Sequence, residues 1–586
     1  MSSKRNLTTV MQRSVTMSSD GSSLKLTPVA ELSLGQRLDK WMVNEGASRL
    51  TYGVFILLHA LVFSFGMMNY SVKDNLTTAR ATFGPTYAIA RSAALVLHVD
   101  VALILLPVCR NLISLARRTP LNGVIPFDAN IEFHKAVAWS IVFFSLVHTF
   151  AHFVNFGRLA ASANLGVKGW LLANFRTGPG ASGWVMLISL GIMVWYAVEK
   201  QRRKPNGGYD RFWSTHHLFI VFFGAWSIHG AFCMIKPDRP PFCAQIGVFW
   251  KYWLVGGVIY GLERAAREWR GTHRTYISKV IQHPSRVCEI QIKKENVNSR
   301  AGQYIFLCCP EISLVQYHPF TLTSAPEEEF ISVHIRCVGD FTTMLARRLG
   351  CDFDNKTKKE EGGARGDIRG DPRASRLVGL DTSQPSQSMD DPALHRVLPR
   401  VMIDGPFGSA SEDVFKYEVA MLVGAGIGVT PFASILKSIW YRVGGLGKKG
   451  RGRLAKVYFF WVIRDFGSLE WFRSLLLAIE AQDIGHLIEI HTYLTLKIKP
   501  DDAQNIMIQD AGATVDAITG LRSPTNFGRP DWDRVFESVR SLHPATDVGV
   551  FFCGPEVLSK TLHNKCNEWS EPGKDGTRFV YGKENF

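Results

Sequence analysis

Four histidines form the most specific chemical pattern in the chain: His134 and His148 share one apolar run, and His216 and His229 share another. At about 100° and 1.5 Å per helical residue, the fourteen positions from His134 to His148 return to nearly the same face about 21 Å along the axis. Two levels of imidazole on one face can hold two stacked haem irons, each taking one neutral nitrogen from either side. With both runs pointing the same way, His134 faces His216 near one surface and His148 faces His229 near the other. The thirteen positions between His216 and His229 leave that pair about 140° out of line in an ideal helix, so this run needs a bend or bulge, with Gly224 as its expected place. His152 and His217 are alternates or neighbours of the ligands. His59 and His98 read as packed, hydrogen-bonded residues. Arg91 is a cation beside the outer level, placed to hold a propionate, attract an anionic product or snorkel to the interface.

A second chemistry follows downstream. In His318-Pro319-Phe320-Thr321-Leu322-Thr323-Ser324, alternate side chains of a strand can line a flat ring and its ribityl chain. Gly339-Asp340-Phe341-Thr342 reads as a helix start whose N–H groups face a pyrophosphate. The strand-like 419–423 enters Gly424-Ala425-Gly426-Ile427-Gly428-Val429-Thr430-Pro431 and then an apolar helix, which together make a dinucleotide cradle. Pro431 suits a first helical turn. Arg464 and Arg529 are either surface arginines or the forks for the extra phosphate of NADP. Cys553-Gly554-Pro555 ends the last expected buried strand, where a nicotinamide would lie.

The elements that must position these groups differ between the halves of the 586-residue chain. Six stretches are long and apolar enough to span a bilayer: near 51–70, 86–108, 133–155, 183–199, 212–234 and 245–262. The first follows fifty polar residues, so it is not a cleaved signal peptide. With both termini in the cytosol, the inside segments hold 18 Lys and Arg against 7 in the outside loops, as the positive-inside rule requires. The loop at 156–182, with Arg158, Lys168 and Arg176, runs against that trend. Asn75-Leu76-Thr77 falls outside as a glycosylation site. Cys233 and Cys243 fall in one outside loop, as a disulfide or as two free thiols.

Residues 1–270 carry 28 Lys and Arg against 13 Asp and Glu, so nearly all of the formal net charge of +16 belongs to the membrane half. Basic residues beside apolar runs orient a membrane protein, and nucleic-acid binding is excluded on that ground. From residue 272 short alternating segments at 276–281, 287–292 and 304–308 predict an antiparallel barrel. Strands at 457–462, 488–494 and 549–552, separated by helical stretches, predict a doubly wound α/β sheet. Residues 352–399 are charged and rich in Gly, Ser and Asp, and read as an exposed insert.

With these pieces assembled, the chain resembles the catalytic subunit of the NADPH oxidase family, most of all its filamentous-fungal B subgroup. The resemblance runs over about residues 40–586 and rests on LILLPVCRN, FHK with VHTFAH, THHLF with IHG, HPFTLTSAP, DGPFGSASEDV, VGAGIGVTP, GRPDW, CGPE and the terminal KENF. It implies a multidomain membrane protein: an N-terminal cytosolic extension (1–48), an all-α six-helix ferric-reductase-type domain with two b-type haems (49–268), and a cytosolic ferredoxin-reductase-like module. That module comprises an antiparallel β-barrel FAD domain (272–405, with the insert 352–399) and a doubly wound NADPH domain (406–586).

Residue by residue, the resemblance implies haem ligation by His134, His148, His216 and His229, with Arg91 near the outer haem. It places FAD on His318, Pro319, Phe320, Thr321 and Ser324, with Arg336 and Thr342 nearby, and NADPH on Gly424, Gly426, Pro431, Arg464, Arg529 and Cys553. Phe586 matches the family's terminal aromatic, which stacks on the flavin and moves aside for nicotinamide. Phe341 stands where many relatives have Trp, which puts that side-chain contact in doubt. The implied activity passes electrons from NADPH through FAD and both haems to dioxygen across the membrane, giving superoxide. A small tetraspan membrane subunit, cytosolic activators and a Rac-type GTPase are the implied partners, in the plasma membrane or an endomembrane. No EF-hand pattern occurs, which argues against direct calcium control. The competing functions are a ferric-chelate reductase with the same cofactors, and a channel or receptor with a degenerate reductase domain.

Overall fold

The computed structural model describes residues 32–584 apart from 205–206, 233–237, 240–246, 296, 354–375, 378–397, 446–451, 465–468, 483, 485, 496–514, 517 and 574. Cys233, Cys243, Phe586 and nearly all of the 352–399 insert lie outside the described residues. The chain divides into two compact units, Arg49–Ala266, and Arg267–Phe586 together with Met1–Ser48.

The first unit is helical throughout. Helix α1 (Leu34–Trp41) precedes it; α2 (Ala47–Val72), α3 (Pro85–Leu103), α4 (Asn130–Ser162) and α5 (Gly178–Ala197) follow the apolar runs. Among the described residues, four helical stretches, Leu34–Val72, Pro85–Val108, Phe127–Ser162 and Gly178–Ala197, are long and apolar enough to cross a membrane. Many of their large apolar side chains face outward, as lipid-facing surfaces do: Val54, Ile56, Leu57, Phe143, Phe150 and Trp195 are all exposed. The fifth run is divided into α6 (Gly208–His216) and α7 (Phe219–His229), and the sixth forms α8 (Trp250–Thr272). The end of α8 turns charged, with Glu263, Arg264, Arg267, Glu268 and Arg270, so the apolar part is shorter than the helix. Leu97, Val101, Val137, Ile141, Met193, Phe222, Phe223 and Trp226 bring α3, α4, α5 and α7 around one core.

The isolated histidines are indeed packed. Burying an ionisable group in an apolar bundle demands a partner, and the Nε2 of His59 meets Asp100 at 2.7 Å while its Nδ1 meets the Phe55 carbonyl at 2.7 Å. The Ser140 hydroxyl donates to the other Asp100 oxygen at 2.7 Å. His98 stacks on Tyr252, with ring centres 3.8 Å apart and planes 7° apart.

In the second unit, short segments form the antiparallel strands β1 (Thr275–His283), β2 (Val287–Lys294), β3 (Tyr304–Cys308), β4 (His318–Thr321), β5 (Ile331–Arg336), β6 (Arg376–Leu377) and β7 (Met402–Phe407). The predicted barrel consists of two sheets, ordered β5-β2-β1-β6 and β4-β3-β7, joined by a bridge between Leu322 and Val333. Val280, Ile290, Ile305, Leu307, Val333 and Ile403 fill the core between them. Buried Asp404 ties α8 to this core through Arg267 Nε at 2.8 Å and Arg270 Nε at 2.7 Å.

The last part forms parallel strands, the inner ones buried on both faces. They are β8 (Val419–Ala425), β9 (Lys456–Ile463), β10 (Ile488–Leu494), β11 (Thr525–Phe527), β12 (Asp547–Cys553) and β13 (Arg578–Lys583), in the order β11-β10-β9-β8-β12-β13. Helices α9 (Asp340–Arg348), α10 (Thr430–Gly445), α11 (Glu470–Ala481), α12 (Trp532–Leu542) and α13 (Glu556–Trp569) complete the unit. The N-terminal segment docks here: Asp39 accepts from the Gly573 amide at 2.6 Å, and Glu45 accepts from Asn567 at 3.2 Å.

Candidate functional site

Helix α4 carries His134 and His148, while His216 ends α6 and His229 ends α7. The rings of His134 and His216 lie 6.3 Å apart, and those of His148 and His229 lie 6.4 Å apart. The break that brings both pairs into line falls at His217 and Leu218, not at Gly224, which lies within regular α7. There the Leu218 amide reaches the Thr215 carbonyl and the Ile220 amide reaches the His217 carbonyl, at 3.0 and 3.1 Å. Such three-residue bonds turn the chain more tightly than an α-helix and supply rotation that thirteen ideal α residues lack.

Three of the four ring orientations are set by hydrogen bonds to the far nitrogen, while His216 Nδ1 is buried without such a partner among the described residues. His134 Nδ1 donates to the Ile104 carbonyl and His148 Nδ1 to the Ala90 carbonyl, both at 2.9 Å. His229 Nδ1 lies 2.8 Å from the Ser182 hydroxyl. Donation through Nδ1 leaves Nε2 as the lone-pair nitrogen, the state an imidazole needs to ligate. His152 sits edge-on to His148 at 4.5 Å, and His217 Nδ1 donates to the Trp213 carbonyl at 2.8 Å. Arg91 follows Ala90, is exposed, and lies 5.2 Å over the Tyr70 ring.

On the flavin side, β4 pairs with β3 and presents His318, Pro319, Phe320 and Thr321. The departure at Phe341 has a structural answer: its ring is buried and stacks on His318 at 3.9 Å. The Thr342 hydroxyl accepts from the Gly339 amide at 3.1 Å, closing the start of α9. The amides of Asp340, Phe341 and Thr342 have no acceptor within the helix, as at any helix start. Buried Ser324 accepts from the Ser332 amide through its hydroxyl and from Ser434 of α10 through its carbonyl, which joins the two nucleotide-binding parts. Arg336 ends β5 and is exposed.

The glycine turn leaves β8 and enters α10, with Gly426 at φ +58°. Gly424 stands opposite Cys553 across the parallel β8–β12 pair, where the strand order reverses. This is the crevice position at which doubly wound sheets take ligands. Pro431 is buried in the first turn of α10. Arg464 and Arg529 are exposed just beyond the ends of β9 and β11, on the same carboxyl side of the sheet as the glycine turn. Burial pushes the Cys553 thiol above its ordinary range, which favours the protonated form.

Three family models match in series: the ferric reductase like transmembrane component over residues 99–226, the FAD-binding domain over 273–411 and the ferric reductase NAD binding domain over 417–567. The chain is similar to NADPH oxidase 1 of Mus musculus, 34% identical over 96% of this chain and 98% of that one. It is similar also to a superoxide-generating NADPH oxidase heavy chain of Dictyostelium discoideum, 38% identical over 94% of this chain and 99% of that one. The chain belongs to the NADPH oxidase family. A ferredoxin NADP+ reductase from Neisseria gonorrhoeae resembles it at 13% identity, covering 53% of this chain and 98% of that one with a TM-score of 0.32.

As a member of this family the chain takes FAD, NADPH and two b-type haems. The histidine geometry fits such irons. A metal–nitrogen bond is about 2.0 Å and an imidazole nitrogen lies about 1.1 Å from its ring centre, so two rings facing across one ion have centres about 6.2 Å apart. Sequence reasoning missed Ser182, whose role at His229 depends on contact between α5 and α7, and Gly428. At Gly428 an added Cβ would lie 2.4 Å from the Cys553 carbonyl oxygen. The glycine string was visible there, but its close neighbour comes from 125 residues further on.

Proposed function

We propose that this membrane protein is a superoxide-generating NADPH oxidase whose four histidines His134, His148, His216 and His229 hold two haems at two depths. Bound FAD would supply the conversion between the two-electron donor NADPH and one-electron carriers, and bound haems would supply a one-electron path towards dioxygen. The observation that carries this reading is the pair of imidazole pairs, 6.3 and 6.4 Å between ring centres, in the unit that precedes the two nucleotide-binding domains.

This chain's residues then have the following work. His134 with His216 would hold the inner iron and His148 with His229 the outer one, and two imidazoles on each iron would leave dioxygen no place on the metal. Ile104, Ala90 and Ser182 hold three of the rings in the ligating tautomer. Arg91 offers a positive charge at the outer level for a propionate or for departing superoxide. His318, Pro319, Phe320, Thr321 and Ser324 line the flavin, with Arg336 and the start of α9 at Thr342 facing its pyrophosphate. Gly424, Gly426 and Pro431 shape the dinucleotide turn, Arg464 and Arg529 hold the 2′-phosphate, and Cys553 borders the nicotinamide. Phe586 lies outside the described residues, and its role as the terminal aromatic over the flavin is proposed by family resemblance alone.

The charge asymmetry supports six spans, with α6–α7 and α8 as the fifth and sixth, and both termini in the cytosol. The fungal B placement rests on the N-terminal extension. A tetraspan subunit, cytosolic activators and a Rac-type GTPase are proposed by family alone, as is a plasma-membrane or endomembrane site.

The test is a reduced-minus-oxidised spectrum of the purified protein with NADPH-driven superoxide detection. His148→Leu or His229→Leu removes the outer haem while NADPH still reduces FAD. Unchanged haem content in both variants overturns the ligand assignment, and electron delivery to ferric chelate without superoxide makes the protein a ferric reductase.

A further inference from the structure

Outside the electron path, three metal-ligating side chains converge in the flavin-binding sheet. Glu289 of β2 stands directly opposite His334 of β5, and His283 of β1 is its diagonal neighbour, two residues beyond the Ile281–Glu289 pair. Antiparallel neighbours on one face project side by side, so rigid strands, and not loops, bring the three together. His283 and Glu289 are buried, and the His283 and His334 rings are nearly parallel with centres 5.3 Å apart.

One carboxylate oxygen is the focus. Oε2 of Glu289 lies 3.1 Å from His283 Nε2 and 3.3 Å from His334 Nε2, and the three atoms all lie within 4.8 Å of one another. A carboxylate hydrogen-bonded to an imidazolium closes to about 2.7–2.9 Å. Both separations are longer than that. The 3.3 Å separation equals the edge of a tetrahedron around a divalent ion, about 3.3–3.5 Å for bonds of 2.0–2.1 Å, while the 3.1 Å one falls just short of that edge and is within hydrogen-bond range.

The surrounding groups complete the pattern. His334 Nδ1 lies 2.8 Å from the Thr323 hydroxyl, which itself lies 2.8 Å from the Ser332 hydroxyl. Gln291 Nε2 donates to the other Glu289 oxygen at 2.9 Å. A ligating histidine ordinarily donates its second nitrogen to such a partner, and a ligating carboxylate is itself hydrogen-bonded. Where Thr323 accepts the His334 Nδ1–H, the Nε2 lone pair faces the carboxylate, and a shared cation or proton makes that contact attractive.

We infer that His283, Glu289 and His334 form a binding site for one zinc-like divalent transition-metal ion, with water in the fourth position. Two imidazoles and a carboxylate are a zinc donor set, and three protein ligands leave one tetrahedral position to solvent. The site is structural. It ties β1, β2 and β5 together behind Thr323 of the flavin strand, and it sets the His334 ring 4.5 Å from Trp471 of α11 in the nucleotide-binding part.

The test uses purified full-length protein, dialysed against micromolar zinc chloride and then against metal-free buffer, with metals counted by mass spectrometry. The expected result is about one zinc per chain, counted separately from haem iron, with a zinc-edge X-ray absorption spectrum showing two imidazoles and an oxygen ligand. Glu289→Gln and His283→Gln lose the zinc while keeping FAD and the haem spectrum. Thr323→Ala keeps the site and weakens zinc affinity roughly 10–100-fold. Zinc-free wild-type protein overturns the inference and leaves the three side chains sharing protons. Zinc retained by Glu289→Gln, or an absorption spectrum without imidazole, also overturns it. If both glutamine variants fail to fold, the wild-type zinc count and absorption spectrum decide.

Discussion

The side-chain amide of Asn44 pairs with the open edge of the last strand at Tyr581. Asn44 Oδ1 accepts from the Tyr581 amide at 2.8 Å, and Asn44 Nδ2 donates to the Phe579 carbonyl at 2.9 Å. One amide side chain thereby satisfies the donor and acceptor that the next strand of the sheet would have taken, since β13 is an edge strand. Lys40 adds a bond to the Glu568 carbonyl at 2.8 Å, and Glu45 an ion pair to His563 at 3.3 Å.

Asn44→Ala therefore frees the β13 edge. Two lost hydrogen bonds at about 1 kcal/mol each give a local loss of about 2 kcal/mol. Hydrogen exchange measured by mass spectrometry should quicken over residues 578–583 by about 30-fold, since about 1.4 kcal/mol is a factor of ten. Haem content stays unchanged. Unaltered exchange would mean that the N-terminal segment does not stay docked in solution.

Gly428→Ala should separate hydride entry from the rest of the path. Its Cβ would lie 2.4 Å from the Cys553 carbonyl oxygen and 2.7 Å from the Cys553 carbonyl carbon, both backbone atoms that cannot swing away. The glycine turn must move from β12, and a displacement of about 1 Å can cost up to 100-fold in rate. NADPH-driven flavin reduction, followed by stopped flow, should fall by that order while dithionite still reduces both haems normally. Gly426→Ala is the contrast: its Cβ meets nothing within 4 Å, and the cost lies in the left-handed φ of +58°, about 1–2 kcal/mol.

The legible part of the site was the part written in local spacing. His134 and His148 belong to one unbroken helix, so their separation alone predicts two levels on one face. The parallel sheet was equally plain, because strands at 457–462, 488–494 and 549–552 alternate along the chain with helical stretches. The helix break was visible only as a requirement. Its place at His217 and Leu218 follows from packing, since neither residue is a breaker and Gly224 stays helical with nothing within 4 Å of its Cβ position. Ser182, Asn44 and the grouping of Glu289 with His334 escaped because their partners are distant in the chain or hidden in strand register. No local pattern records either.

Asp404 should be among the least replaceable residues of the flavin-binding part. Its carboxylate is 1% exposed and meets two arginines of α8, whose side chains are 15% and 21% exposed. Arg267 also lies over the rings of Phe306 and Tyr317, so neither guanidinium can easily turn to water. Removing one partner of a buried pair costs about 3–5 kcal/mol, because the remaining charge stays buried. Asp404→Ala should lower the temperature of FAD release, read by flavin fluorescence, by much more than Asp404→Asn. Equal midpoints for Asp404→Ala and wild type would show that the two arginines find other acceptors.

Glu489 gives the nucleotide-binding sheet an acid-sensitive strand. It lies on β10, with Lys456 Nζ at 3.1 Å and His491 Nε2 at 3.3 Å. Burial pushes its carboxyl up, but His491 and Lys456 outweigh that and hold it at about 2, below its ordinary 4.5. A carboxyl whose folded value is depressed contributes stability that is fully present above the unfolded value and is lost as pH falls through the folded one. The window therefore runs from about pH 4.5 down to about pH 2, and the contribution is at most about 3 kcal/mol. Hydrogen exchange over residues 488–494, corrected for its intrinsic pH dependence, should show wild type more protected than Glu489→Gln above pH 5, with the gap closing towards pH 2. A gap that stayed constant over that range would place the effect of the substitution in packing and not in the charge.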